Sequence, residues 1–363
     1  MYFLTNEERT CFGLILVKDN WILRRIKNSR YDDFESYVYI EDNIIKKLIL
    51  TGLTRYEEYE YNELLSDDKE MLLPKTSRGK ALKLTNDNLI KRKQFGMSLT
   101  YNERHITLYN SDTEIDYYYN CYENLKPNNI DDFSNWVKEW CEETSISDIN
   151  EINDFIKEKR RHIKYQEGDV FRFKITRRQY GYGRILLDYN QMRKNKEPFW
   201  DILMGTPLVC SVYHIITEDK NITIDKLKTL KSLPSSIMND NKLFYGEYEI
   251  IGNIPLSDYE DYPIMYGSSI AAREKAVYFQ RGKLCRRIDN VDQLYIDFTN
   301  NAVGFILHLR EDVLKKCIEE KSNKPYWDLY SPYFTNRDLR NPKFKKELKK
   351  ICKQMKVKIG KDK

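Results

Sequence analysis

Tyrosine and arginine side chains are concentrated around residue 180, where their types and spacing could form a binding site. Tyr180, Tyr182 and Arg184 alternate along one segment, and Arg177 and Arg178 precede them. Aromatic rings can stack on a base, and guanidinium groups can bind a phosphate. The same residues can also be structural, because a tyrosine hydroxyl can bond a backbone carbonyl and an arginine can pair with a carboxylate. The structural interpretation is favoured at this stage, and the binding interpretation stays open.

Two glycines lie within this segment, and the residues around them predict strands. Phe171 and Phe173 alternate with charged residues, which is the pattern of a strand with one buried face. Residues 185–187 form a continuous apolar run, which is typical of a strand covered on both faces. A glycine inside a strand marks a bulge or the close approach of another backbone or a ligand. We therefore predict that Gly181 and Gly183 shape a sheet for docking another macromolecule.

The sequence lacks the spacings that familiar metal sites and nucleophiles require. Its four histidines are well separated, and its seven cysteines include no Cys-x-x-Cys pair. There is no Gly-x-Ser-x-Gly nucleophile motif and no Walker motif. His214 lies in an apolar strand pattern, which favours a core residue over a metal ligand. We therefore predict no metal site and no cofactor, and we favour a function other than catalysis.

Composition and length indicate a globular protein with two domains. The chain has 363 residues, of which 41% are hydrophobic and 32% are charged. This length exceeds that of one ordinary domain. No apolar run approaches the roughly 18 residues that a membrane-spanning helix needs, and the charged start of the chain is unlike a secretion signal. We therefore expect a cytoplasmic protein with reduced cysteines.

The positive charge of the chain is concentrated at its C-terminal end. Residues 337–363 carry twelve lysines and arginines and three acidic residues, whereas the whole chain has a net charge of +5. Apolar residues recur at helical spacing over 344–355, with Asn341 as cap, Pro342 in the first turn and Gly360 as the stop. The pattern predicts a basic helix docked through its apolar stripe. Its lysines either form a solvated face or bind nucleic acid or a membrane.

A second charged region is acidic and helical. Residues 133–140 contain an apolar helical stripe that Asn129 or Asp131 caps, and a second stripe lies within 149–156. Nine carboxylates oppose two lysines over 131–158. These carboxylates either form a solvated face that suits the helix macrodipole or a negative surface that fits the basic cleft of a nuclease. The residues predicted for such a partner-binding surface are Glu139, Glu142, Glu143, Asp148, Glu151 and Asp154.

The other patterns indicate short strands and a few helices. Residues 12–125 contain short apolar and aromatic runs joined by polar turns, which predicts an antiparallel meander with a loop over 66–88. The predicted strands are 12–17, 36–40, 44–50, 56–61, 97–101, 106–109, 115–121, 207–216 and 243–251. A hairpin is predicted over 277–288, and short helices are predicted after Thr223 and near 313–318.

The stretch around residue 180 also has a recognisable order of residues. The sequence reads Glu-Gly-Asp-Val-Phe at 167–171 and Tyr-Gly-Tyr-Gly-Arg-Ile-Leu at 180–186, and Phe-Tyr-Gly and Ile-Pro-Leu lie within 244–256. This order resembles the signature of the immunity protein 26 family of bacterial polymorphic toxin systems, over roughly 165–301 of the chain. The binding residues that the resemblance implies are Asp169, Phe171, Tyr180, Gly181, Tyr182, Gly183 and Arg184.

The resemblance implies a protein that neutralises a partner toxin by binding it, without a cofactor. A nuclease is one candidate for that toxin, and the contact surface would be either the acidic helices or the surface beside 180–184. Two alternatives come from other classes. The lysines of 343–358 could bind nucleic acid, or the chain could hydrolyse an ester, since some relatives carry a joint phosphotriesterase label. The ester alternative would depend on His214 or Asp169.

The combined expectation is a two-domain α+β protein. A β-rich N-terminal domain is expected over 1–128, followed by a helical pair over 129–164. An immunity-type domain is expected over 165–335, and a basic C-terminal helix over 336–363. The immunity-type domain is predicted to be a strongly bent, barrel-like antiparallel sheet with flanking helices.

Overall fold

A computed structural model of the protein describes residues 1–28, 33–102, 105–120, 127–198, 200, 205–268, 276–292 and 338–359. These residues form two compact units, 1–161 and 162–363. The predicted helix near 313–318, Gly360 and the last residue of the predicted strand 115–121 lie outside the described residues. None of the helices in the described ranges has the length and apolarity that crossing a membrane requires.

The N-terminal unit consists of a seven-stranded sheet with helices packed on it. Its elements are α1 (Asn6–Cys11), β1 (Ile22–Ile26), β2 (Phe34–Glu41), β3 (Ile44–Gly52), β4 (Tyr56–Leu64), β5 (Met71–Leu72), β6 (Leu82–Lys83), α2 (Asn86–Leu89), β7 (Phe95–Tyr101), β8 (Ile106–Asn110), β9 (Ile115–Asn120), α3 (Ile130–Glu142) and α4 (Ile146–Lys157). The strand order is β1-β2-β3-β4-β7-β8-β9, and each neighbouring pair is antiparallel. Successive strands therefore lie side by side, which confirms the predicted meander.

Apolar residues cover both faces of this sheet. On one face, Tyr101 stacks on Phe133 of α3 with ring centroids 4.7 Å apart, and Ile152 of α4 belongs to the same cluster. On the other face, Leu48 of β3 clusters with Leu89 of α2. This two-sided burial explains the continuous apolar run in β3, because a strand covered on both faces has no solvent side to keep polar.

Helices α3 and α4 begin where their capping residues predict. The side chain of Asn129 accepts hydrogen bonds from the backbone N–H groups of Asp131 and Asp132, so Asn129 is the cap of α3. Ser145 and Asp148 form a reciprocal capping box at the start of α4. These bonds satisfy N–H groups that have no acceptor within the helix.

The predicted strand over 12–17 is wrong. A capping box at Thr5 starts α1, and Phe12 follows the last residue of this helix. Phe12 is fully buried and stacks on the ring of Trp136, so the apolar alternation reflects a segment that fills the core of the unit. The predicted loop over 66–88 also differs from the structure, because it contains β5 and β6.

The C-terminal unit contains two further antiparallel sheets. Its elements are β10 (Asp169–Lys174), β11 (Tyr180–Asp188), α5 (Tyr189–Lys194), β12 (Pro207–Val212), α6 (Ile224–Lys228), β13 (Ser236–Asn239), α7 (Asn241–Phe244), β14 (Glu249–Asn253), β15 (Ile264–Gly267), β16 (Ala276–Arg281), β17 (Leu284–Asp289) and α8 (Lys345–Met355). The sheet orders are β13-β12-β11-β10-β14 and β15-β16-β17. The mixed α+β class is confirmed. Within the described residues neither sheet closes on itself, so the barrel-like form is not confirmed.

The predicted strand over 243–251 is partly helical. Residues of α7 precede Gly246, which has a φ of +80° and donates its N–H to the carbonyl of Leu243. Glycine adopts this left-handed backbone at no steric cost, and it commonly ends a helix in this way. The strand β14 begins only after that turn. The strand predicted over 207–216 is also shorter in the structure and ends at Val212.

The basic C-terminal helix forms as predicted, with a different end. The side chain of Asn341 accepts a hydrogen bond from the N–H of Lys343, and a 3₁₀ turn over Pro342–Phe344 leads into α8. The helix ends before Lys356, which takes a left-handed backbone with a φ of 52°. The stop therefore precedes the predicted Gly360.

Helix α8 docks on the smaller sheet through its apolar stripe. Ile351 and Met355 are buried in one cluster with Tyr266 of β15 and Phe279 of β16. The hydroxyl of Tyr266 also donates to the side-chain oxygen of Gln354 at 2.5 Å. The predicted docking of the helix through this stripe is therefore present in the structure.

Candidate functional site

The pairing of β10 with β11 explains both glycines of the signature. Phe171 lies opposite Gly183, and Phe173 lies opposite Gly181. A Cβ atom on Gly183 would lie 2.3 Å from Cζ of Phe171, and one on Gly181 would lie 2.5 Å from Cζ of Phe173. The rings therefore cover the glycines, and a side chain at either position would displace a ring. The glycines therefore mark the places where these two phenylalanine rings lie against the backbone of β11.

The tyrosines of the signature belong to a different apolar cluster from the two phenylalanines, and they are buried there. Tyr182 is fully buried beside Leu227, and its hydroxyl donates to the backbone carbonyl of Asp219 at 2.8 Å. Burial raises the pKa of the Tyr182 hydroxyl. The guanidinium carbon of Arg172 lies 5.4 Å from the ring centroid of Tyr180. This environment fits the structural interpretation of the tyrosines better than stacking on a base.

Arg184 lies on the same strand as these tyrosines and pairs with a carboxylate. Its guanidinium forms an ion pair with Glu260, and both side chains are largely buried. The two arginines of the preceding link differ in exposure, because Arg177 is buried and Arg178 is exposed. The buried pairing neutralises the guanidinium charge of Arg184, which leaves it less suited to bind a phosphate.

Asp169 and the glycine before it form a corner at the start of β10. The Asp169 carboxylate accepts hydrogen bonds from the N–H of Gln166 at 2.9 Å and from the side-chain amide of Asn253 at 2.8 Å. Gly168 has a φ of +89°, and a Cβ atom there would lie 2.8 Å from the carbonyl oxygen of Ile254. The corner therefore joins the start of β10 to the end of β14, and only glycine fits in it.

Of the two residues considered for hydrolysis, Asp169 is held in the corner described above. His214 is half-buried and lies just beyond the end of β12, so it is not the core strand residue that its apolar pattern predicts. Burial raises the pKa of the Cys210 thiol, which disfavours the nucleophilic thiolate. No three His, Cys, Asp or Glu side chains in the described ranges are grouped so as to hold a metal ion. No observation on the described residues favours hydrolysis.

The acidic surface of α3 and α4 is mostly exposed. We use the term acidic helical face for the six residues Glu139, Glu142, Glu143, Asp148, Glu151 and Asp154. Glu139, Glu142, Glu143 and Asp154 are exposed, and Glu151 is half-buried. Asp148 is buried and forms the capping box of α4, where it accepts the N–H of Ser145 at 2.8 Å. Four of the six predicted carboxylates are thus placed where a partner could contact them.

The N-terminal unit contains a buried group of charges that the sequence did not predict. The ammonium of Lys47 lies 2.7 Å from Glu58 and 3.3 Å from Glu60, and the guanidinium of Arg9 lies 2.8 Å from Glu58. All four side chains are buried, and we call them the buried charge cluster. The sequence hints at this cluster only through Lys47, a charged residue within the largely apolar strand β3. Its partners Glu58 and Glu60 lie on β4, and the sequence does not reveal how the two strands pair.

Burial and pairing act in opposite directions on the two carboxyls of the buried charge cluster. Burial raises the pKa of Glu60 to about 7, although Lys47 and the N–H of Ile15 favour its charged form. Burial alone would also raise the pKa of Glu58, but Lys47 and Arg9 outweigh it and hold that pKa below its ordinary value. Glu58 is therefore the charged partner of both cations, and Glu60 is the carboxyl that gains or loses its proton near neutral pH.

Comparison with known proteins gives a family match for one part of the chain. The family model described as immunity protein 26 matches residues 166–277, which is less than a third of the sequence. Neither a curated protein nor a solved structure matches the chain at a significant level. The matched residues include β10 to β15, the corner at Gly168 and the paired phenylalanines and glycines. Residues 166–277, which we call the immunity protein 26 segment, are therefore similar to this family, as the signature around residue 180 predicts.

Proposed function

We propose that this protein neutralises a cognate bacterial toxin by binding it directly. The observation that carries this proposal is the family match over 166–277, which coincides with the segment that the signature occupies. The geometry of the signature is consistent with a binding protein. Asp169, Tyr182 and Arg184 each have a partner within the fold, so the signature builds the sheet and the toxin contacts come from outer surfaces.

We further propose that the acidic helical face contacts the toxin, and that the toxin presents a basic surface such as the cleft of a nuclease. Carboxylates at the start of a helix suit its macrodipole, which accounts for Asp131 and Asp132 at the start of α3. Glu139, Glu142 and Glu143 lie at the opposite end of α3, where negative charge opposes the macrodipole. Helix stability does not explain these three residues, whereas electrostatic attraction of a basic partner does.

Co-purification from the native host, with a toxicity assay of the neighbouring genes, tests the proposed function. We expect one partner protein to be recovered with this chain, and we expect co-expression of the chain to protect cells from that partner. Recovery of no partner, together with no protection against any neighbouring toxin, would contradict the proposed function.

Charge-neutral variants test the acidic helical face separately. The variant Glu139→Gln/Glu142→Gln/Glu143→Gln is expected to slow association with the toxin at least tenfold at low salt, because exposed charges mainly act on the association rate. The control removes three exposed carboxylates elsewhere in the same unit, Asp19→Asn/Asp67→Asn/Asp87→Asn. Equal association rates for both triple variants would reject this surface and leave the immunity function standing.

A further inference from the structure

The exposed face of α8 and its flanks consists almost entirely of lysines. The eight lysines over 343–358 are all exposed, and Glu347 is the one carboxylate in that range. They are Lys343, Lys345, Lys346, Lys349, Lys350, Lys353, Lys356 and Lys358. Arg286 of β17 is exposed and lies opposite Phe279, which packs beneath the helix, so its charge adjoins the same surface. We call these nine residues the basic surface.

A solvated helix face is normally stabilised by pairs of opposite charge one turn apart. The exposed face of α8 instead places lysines four residues apart, as in Lys345 with Lys349 and Lys349 with Lys353. Pairs of like charge at this spacing destabilise a helix. Lysines in the first turn of α8 also oppose the helix macrodipole. Local helix stability therefore does not explain this arrangement.

The basic surface is held in place by contacts beneath it. Ile351 and Met355 are buried against the smaller sheet. The guanidinium of Arg340, just before the helix, donates to the carboxylates of Asp338 at 2.6 Å and Asp261 at 2.7 Å, and to the carbonyl of Ser235 at 2.8 Å. The lysines are therefore presented from a fixed helix, which lowers the conformational cost of meeting a regular array of charges.

We infer that the basic surface binds the phosphate backbone of double-stranded nucleic acid without sequence preference. Helix α8 has 11 residues and rises about 16 Å, which spans about five base pairs at 3.4 Å each. Phe344, the one aromatic residue over 343–358, is half-buried with the apolar stripe, so the surface offers lysine charges and no exposed ring for stacking on bases. This activity is separate from the proposed toxin binding.

Binding of the full chain to a 20-base-pair DNA duplex, measured by fluorescence anisotropy over a salt series, tests this inference. About four phosphate contacts predict a slope of about −3.6 for log K against log salt, so affinity falls about 150-fold between 50 and 200 mM salt. Two duplexes of unrelated sequence are expected to bind within threefold of each other. Absence of binding at 50 mM salt, or a hundredfold preference for one sequence, would overturn the inference.

Matched variants locate the binding surface. Lys346→Gln/Lys349→Gln/Lys353→Gln is expected to reduce the slope by about 3 in magnitude, and the corresponding triple change to arginine is expected to restore it. The control Lys226→Gln/Lys228→Gln/Lys231→Gln removes the same charge from exposed lysines around α6. Circular dichroism is expected to show that all three variants are folded, since the lysines are exposed. Equal losses in the two glutamine variants would contradict the inference.

A membrane is the competing occupant, and vesicles containing phosphatidylserine distinguish it. We expect the duplex to bind at least tenfold more tightly than such vesicles at equal salt. Tighter binding to the vesicles, lost in the Lys346→Gln/Lys349→Gln/Lys353→Gln variant, would assign the basic surface to a membrane and overturn the inference.

Discussion

The two glycines of the signature act through the rings that lie over them. Phe171 and Gly183 face each other across β10 and β11, so the ring occupies the space that a side chain would need. In the sequence the glycines and the aromatic residues are visible, but the register that pairs them is not. That register depends on the link between the strands, and a shift of one residue would move every side chain to the other face.

Replacing Gly183 with alanine is expected to destabilise the C-terminal unit by about 2 kcal/mol, because the new Cβ atom would overlap the Phe171 ring and the carbonyl oxygen of Ser211. Urea unfolding measures this change. The control is Gly252→Ala in the same sheet, where the new Cβ atom would meet only the side chain of Ile224. Similar losses for both variants would show that the ring over Gly183 is not the cause.

Glu60 makes the stability of the N-terminal unit depend on pH. Its pKa in the folded chain is about 7, above its ordinary value, so the folded state holds this proton more tightly than the unfolded state. The free energy of unfolding therefore falls as pH rises from about 5 to about 8. We expect Glu60→Gln to remove this fall. The free energy of unfolding of the variant, relative to that of the parent protein, is then expected to rise by about 3 kcal/mol between pH 5 and pH 8.

Urea unfolding at pH 5, 6, 7 and 8 measures the effect of Glu60. The control is Glu139→Gln, which removes an exposed carboxylate from the same unit and is expected to follow the parent protein. If Glu60→Gln and the parent protein differ by the same amount at every pH, Glu60 does not titrate in this range.

At the scale of the element, the starts of three helices are predictable from the sequence, whereas strand limits are less so. Asn129, Thr223 and Asn341 each cap a helix through a hydrogen bond to an N–H two or three residues further on. Such bonds are local, so the sequence alone indicates them. The segments 12–17 and 243–251 were misjudged because their structure depends on distant packing and on a left-handed glycine. Apolar spacing alone does not contain that information.

Arg340 fixes the start of α8, and its loss is expected to release the helix. Arg340→Ala would leave the largely buried carboxylate of Asp338 and the half-exposed carboxylate of Asp261 without their cation, at a cost of about 2 kcal/mol. Limited digestion with a protease that cleaves after lysine measures the release, because the lysines of α8 then become cleavable. Arg286→Ala, which changes an exposed arginine, is the control and should digest at the rate of the parent protein.

At the scale of the whole molecule, the two compact units each have their own apolar clusters. We therefore expect fragments 1–161 and 162–363 to fold separately, each with the circular dichroism of a mixed α+β protein and a cooperative thermal transition. A fragment without a transition would show that it needs the other unit.

The separate fragments also localise toxin binding. If the acidic helical face provides the contacts, fragment 1–161 should bind the toxin and fragment 162–363 should bind it weakly. The reverse result would assign binding to the immunity protein 26 segment and contradict the proposal for the acidic helical face.

The phenylalanine rings that cover Gly181 and Gly183 have a consequence for classification. The seven residues taken from the signature determine how β10 and β11 fit together, and none of them is exposed. Exposed residues outside this contact can therefore change without disturbing the fit. A match to the signature reports the packing of these two strands and says nothing of a binding partner.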